Sequence, residues 1–172
     1  MGCAGPKFFC DSFGSQQNWD ILPFHEDVTV RMLESIYTPM QIDDNNLEQL
    51  FAETLAEKIR KSHLYRNVTV SPLQGNVLTR FIIEIKLIDI TATAWRDRSF
   101  GVNKYSFIGV AGRVVDLKRD KALLTFEKAR AGQGGLLGSG GMFSAGSDAM
   151  IKKLTEWVAY DIVETLRNAQ NK

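Results

Sequence analysis

Histidine is the side chain best suited to moving protons near neutral pH, and the chain has two, His25 and His63. Neither sits in a local context that would orient it. His63 follows a helix end expected at Ser62, where a histidine serves the last carbonyls as a cap. Ser139, in Leu137-Gly138-Ser139-Gly140-Gly141, falls one glycine short of a G-x-S-x-G nucleophile elbow. With both histidines remote in sequence, a Ser-His-Asp hydrolase is disfavoured. Asp43 and Asp44 precede a helix and read as cap and dipole partners. Glu84 and Asp89 share one expected strand, whose alternation sends them to different faces, so they form no acid–base dyad. Two isolated histidines and no closely spaced cysteine pair give no metal-ligand spacing. No catalytic residue, metal or cofactor is expected from these spacings.

Residues 131–148, AGQGGLLGSGGMFSAGSD, hold half of the chain's 14 glycines and precede a helix, the setting of a phosphate-binding loop. The spacing excludes a Walker loop, which needs Lys-Ser/Thr after its last glycine, where Gly140 is followed by Gly141-Met142. The dinucleotide fingerprint fails too, because Gly132-Gln133-Gly134 continues as Gly135-Leu136-Leu137. A plain surface loop is one reading of the segment. Another is a contact surface: Leu136, Leu137, Met142 and Phe143 are large apolar side chains that a partner subunit or a lipid interface would cover. Trp95-Arg96-Asp97-Arg98 offers a second surface, where Trp95, Arg96 and Arg98 combine an aromatic ring with two guanidiniums, or else form a solvated turn with a local Arg–Asp contact.

The two cysteines, Cys3 and Cys10, both lie in the first ten residues, so they cannot staple a domain. Met1-Gly2-Cys3-Ala4-Gly5 matches the end of a bacterial lipobox, in which the cysteine receives a diacylglyceryl chain. On that reading Cys3 is the lipid-attachment residue, and a preceding export signal has been removed. Gly2 also opens an N-myristoylation pattern, against which Pro6 stands at the Ser/Thr position. A third reading makes Cys3 an ordinary residue of a terminus. No apolar run approaches the ~20 residues that span a bilayer, so a lipid on Cys3 would be the only membrane attachment in view.

The elements that must carry these residues follow from periodicity. A length of 172 residues implies one domain, and 44% hydrophobic against 24% charged residues implies a globular one. The balance of 21 Lys+Arg and 20 Asp+Glu leaves a net charge of +1, which gives no field for nucleic acid. Residues 1–26 lack any period and read as an extended, aromatic lead-in whose Trp19, Leu22 and Phe24 cover an edge of the core. Residues 27–172 read as a single α+β domain. Val28, Val30 and Met32 alternate as a strand, and Asn45 with Glu48 forms a capping box for an amphipathic helix over 45–62. A short strand lies at 68–70. Thr79 to Ala94 is a half-buried antiparallel strand with Phe81, Ile83, Ile85 and Leu87 on one face and Glu84 and Lys86 on the other. Tyr105 to Leu117 and Ala122 to Phe126 form a hairpin around Lys118-Arg119-Asp120, and Ile151, Leu154, Val158, Ile162 and Leu166 trace a closing helix. The expected architecture is a two-layer sandwich, with two amphipathic helices on one face of a mostly antiparallel sheet, in the order strand, helix, strand, three-strand meander, helix.

Gly112-Arg113-Val114-Val115-Asp116, the hairpin, Ala122-Leu123-Leu124-Thr125-Phe126, the glycine stretch and the last helix resemble the C-terminal half of a family of bacterial lipoproteins of uncharacterised role. The order of elements over 27–170 is also similar to the α/β domains of the curli-secretion lipoprotein, the lipoprotein activators of penicillin-binding proteins and the N-terminal domain of the Tol-system β-propeller protein. The resemblance in motif covers about 104–150. It implies a lipid-anchored module at the periplasmic face of the outer membrane that works by binding proteins or envelope components, through a protein partner or a homo-oligomer, without catalysis. Only Cys3 carries over as a functional residue. Arg119-Asp120 replaces the family's turn glycine, and the membrane-spanning hairpins of the curli protein have no counterpart here, which disfavours a pore. A small anionic ligand that orders the 131–148 loop is the alternative function.

Overall fold

The computed structural model describes residues 24–34, 47–71, 78–91, 105–133 and 147–170. Within them the chain runs β1 (Asp27–Met32), α1 (Leu47–Ser62), β2 (Asn67–Ser71), β3 (Phe81–Thr91), β4 (Tyr105–Asp116), β5 (Lys121–Gln133) and α2 (Ser147–Gln170). The five strands form one mixed sheet in the order β2-β1-β3-β4-β5. The meander β3-β4-β5 is antiparallel and supplies the longest ladders, whereas β1 is parallel to both its neighbours. The fold class is α+β, as the sequence implies.

Both helices use their apolar stripes to cover one face of this sheet. Phe51, Leu55 and Ile59 of α1 and Leu154, Val158, Ile162 and Leu166 of α2 join Val28, Val30, Ile83, Ile85, Leu87, Ile108, Val110 and Val114 in a single core. α1 lies over β1 and β2, α2 over β4 and β5, and the helices touch side by side. Phe24 packs on the edge of this core and its ring meets Tyr65; Trp19 and Leu22 lie outside the described residues.

Three strand expectations change. First, β3 is not half-buried and wholly antiparallel. It is a central strand, flanked by β1 and β4, with Ile82 and Glu84 buried on the face away from the helices. Second, a bulge between Leu87 and Asp89 adds a residue, so Ile90 returns to the core and Asp89 to the face of Glu84. The two carboxylates therefore share a face, but five residues of strand, about 16 Å, separate them and no dyad results. Third, β5 does not end at Phe126 but continues to Gln133. Ala131 and Gly132, read as loop, pair with Phe107 and Ser106. Gly132 faces α2 at close range, where a Cβ would lie 2.7 Å from Sδ at the flexible end of Met150.

Candidate functional site

The face of the sheet away from the helices carries a row of charged and polar side chains. Strand register aligns Ser71, Arg31, Glu84, Arg113 and Thr125 in one row across β2, β1, β3, β4 and β5. Cross-strand neighbours on one face lie close enough for side-chain bonding, so the row brings together residues far apart in sequence. Arg31 donates through Nη2 to Glu84 Oε1, and Arg113 through Nε to Oε2 at 2.5 Å. The Glu84 side chain is only 3% exposed, while Arg31 and Arg113 keep 27% and 39%. Burial alone pushes the Glu84 carboxyl up; the hydrogen bonds from Arg31 and then Arg113 outweigh it, and hold the group below the usual carboxylate range. A glutamate kept ionised in this way is a poor proton donor. Two guanidiniums on one carboxylate leave the cluster with one net positive charge.

One row away on the same face, Thr29 Oγ1 is bonded to Thr69 Oγ1 at 2.9 Å and to Thr79 Oγ1 at 2.6 Å. At the β4–β5 turn, Asp116 is clamped by Arg80, whose Nε and Nη2 reach its two oxygens at 2.9 and 2.5 Å. The Arg80 hydrogen bond lowers the Asp116 pKa. The same carboxylate accepts the backbone N–H of Lys118 at 3.0 Å, and so shapes the turn. Asp120 in this turn has φ of 48°, the left-handed region glycine favours.

Both histidines are turn residues. His63 caps α1 with φ of 57°, its N–H bonded to Arg60 O at 3.2 Å, and His25, with φ of 63°, donates its N–H to Leu64 O at 2.9 Å. Among the described residues there is no group of three metal-ligating side chains, and no helix is long and apolar enough to cross a membrane. Cys3, Trp95, Arg96, Arg98, Leu136, Leu137, Met142 and Phe143 lie outside the described residues. The arginine clamp on Glu84 is absent from the sequence reading, which placed Glu84 toward solvent. One signal for it was available: Phe81-Ile82-Ile83-Glu84-Ile85 is apolar at both parities, the mark of a strand buried on both faces.

Fold and site together define a two-layer α+β domain whose buried carboxylates are held by arginines. Its fold is that of a Xanthomonas campestris protein of the DUF330 family, with a TM-score of 0.58 over 86% of each chain at 8% identity. Lower structural similarity extends to the PelC dodecamer of Paraburkholderia phytofirmans, with a TM-score of 0.48, 13% identity and coverage of 76% of this chain and 83% of that one. It extends also to a lipoprotein of Neisseria meningitidis, with a TM-score of 0.44, 13% identity and coverage of 80% and 98%. No protein-family model and no curated protein matches the sequence.

Proposed function

We propose that this chain is a lipid-anchored module on the periplasmic face of a bacterial outer membrane, attached through Cys3 and acting by binding protein or envelope components rather than by catalysis. The observation that carries the non-catalytic part is the state of its buried carboxylates: Glu84 and Asp116 are each fixed in arginine hydrogen bonds, leaving neither poised to exchange a proton. What the domain offers outward is surface, including the exposed Trp157, Tyr160 and Leu117. Gly2-Cys3 ahead of an aromatic lead-in supports the anchor. The test is the intact mass of the protein made from its own gene in its own organism, after separation of membrane and soluble pools. A membrane-bound species cleaved before Cys3 and carrying three acyl chains is expected; a soluble or myristoylated chain beginning at Met1 or Gly2 refutes the anchor. Deletion of 132–146 tests Leu136, Leu137, Met142 and Phe143 as the contact surface: a folded variant should lose its partner in pull-down, and intact pull-down refutes that assignment.

A second reading, a small anionic ligand, draws on the net positive charge of the Arg31–Glu84–Arg113 cluster. Phosphate or a nucleotide at 100 times its Kd would raise stability by about 2.7 kcal/mol. An unmoved melting temperature rejects this reading.

A further inference from the structure

On α2 the residues at the pole opposite the core are Lys153, Trp157, Tyr160 and Glu164, spaced four, three and four apart, so they stack in one stripe along the helix. Ile151, Leu154, Val158, Ile162 and Leu166 occupy the other side. Trp157 and Tyr160 are 42% and 56% exposed, although nothing in the packing of the described residues calls for an aromatic at that pole. The corresponding face of α1 is entirely polar, with Gln49, Glu53, Glu57, Arg60 and Lys61. Lys153 Nζ stands 5.0 Å from the centre of the Trp157 ring, and Glu164 is paired with Arg167.

The order of these four residues has a symmetry of its own: cation, aromatic, aromatic, anion. When two copies of α2 are laid antiparallel about a two-fold axis passing between Val158 and Ala159, Trp157 of each meets Tyr160 of the other, and Lys153 of each meets Glu164 of the other. A two-fold interface must be self-complementary, and this stripe satisfies that requirement in its order of charged and aromatic residues. Glu156 and Asp161 fall on the shoulders of the stripe, Asp161 being bonded to Arg130 of β5 at 2.6 and 2.7 Å. We propose that the α2 stripe Lys153–Trp157–Tyr160–Glu164 is a homodimer interface whose occupant is the same stripe of a second copy of this chain. The inference stands apart from the lipid anchor, since it concerns the folded domain alone. A single helix pair of this length covers less than the ~800 Å² per partner typical of a stable complex, so the dimer is weak in solution. Tethering both copies to one surface would strengthen it by effective concentration.

Sedimentation velocity of the full, unacylated chain from about 5 µM to about 1 mM tests this over the range where weak dimers appear. A concentration-dependent monomer–dimer equilibrium is expected. K153E alone and E164K alone should each weaken it at least tenfold, and K153E combined with E164K in one chain should restore it, because the two-fold axis then swaps both ion pairs intact. A zero-length carbodiimide cross-link between Lys153 and Glu164 should form between isotopically distinct copies; within one helix the two are eleven residues, about 16 Å, apart and out of reach. Circular dichroism checks that each variant is folded, and W157A with Y160A gives an independent loss-of-dimer variant. A chain that stays monomeric throughout, or a dimer indifferent to K153E, overturns the proposal. So does a monomer whose flotation with phosphatidylglycerol vesicles depends on Trp157, which would make the stripe lipid-facing. None of these results depends on whether Cys3 is acylated.

Discussion

Replacing Glu84 by glutamine leaves the volume of the β3 row unchanged and removes its negative charge. The amide still accepts one hydrogen bond, but its NH₂ group is turned against the N–H donors of the other arginine. Removing one partner of a buried ion pair costs about 3–5 kcal/mol when the remaining charge is fully enclosed. Arg31 and Arg113 retain 27% and 39% of their exposure, so water recovers part of that loss. The expected cost of E84Q is therefore about 2–3 kcal/mol, or roughly 4–12 °C in melting temperature for a chain of this size. Urea denaturation at pH 7 with circular dichroism measures it. The folded pKa of Glu84 lies below its ordinary 4.5, so the folded state binds fewer protons than the unfolded one. Its stabilising contribution is thus complete above pH 4.5 and is lost as pH falls through the lowered folded value. The difference between wild type and E84Q should shrink along that descent. The apolar replacement R31M/E84L/R113M removes charge and counter-charge together and should recover most of the loss. A cost for E84Q within 0.5 kcal/mol, or a triple variant less stable than E84Q, refutes the view of Glu84 as a buried ionised clamp.

The Tyr65 hydroxyl and the Thr155 hydroxyl are buried without hydrogen-bond partners among the described residues; Y65F and T155V should each raise stability by about 1 kcal/mol, seen as a higher urea midpoint at constant slope. A Cβ on Gly112 would lie 2.5 Å from the Phe126 ring and 2.8 Å from Ile85 Cδ1, whereas one on Gly132 meets the flexible end of Met150. G112A should therefore cost about 1–3 kcal/mol and G132A clearly less in the same assay. Because Asp120 sits at φ of 48°, D120A should lose about 1 kcal/mol, while D120G should be no less stable than the wild type by calorimetry.

How far the sequence reading reached depended on whether one residue's neighbours could be seen from its own segment. α1 and α2 were legible because a 3.6-residue apolar stripe has one packing solution, and β1 because Val28, Val30 and Met32 alternate cleanly. The far half of β5 was not, for a physical reason. Beyond Phe126 the positions facing the helices are Lys128, Arg130 and Gly132, none of them a large apolar residue, and the half-exposed Arg130 reaches out to Asp161 of α2. The apolar period therefore stops at Phe126 although the strand goes on. The bulge at Leu87/Asp89 was equally hidden, since inserting one residue leaves composition unchanged and reverses which face each later side chain takes.

The arginine clamp was illegible for the same cause at larger scale. Arg31 and Arg113 stand 53 and 29 residues from Glu84, and only the strand order β1-β3-β4 makes them neighbours. Read as a meander edge, β3 would expose Glu84 to water and need no counter-charge. Read as a central strand, it must either lose the charge or acquire partners on both flanks, since an isolated buried carboxylate is far too costly to keep. The parallel insertion of β1 thus decides both the topology and the chemistry of the face: it makes β3 central and in the same step delivers Arg31 to Glu84. A sheet ordered β1-β2-β3 would set β2 between Arg31 and Glu84 and so take that partner from the carboxylate. The ion row therefore favours the observed strand order over the one that the hydrophobic periods alone permit equally well.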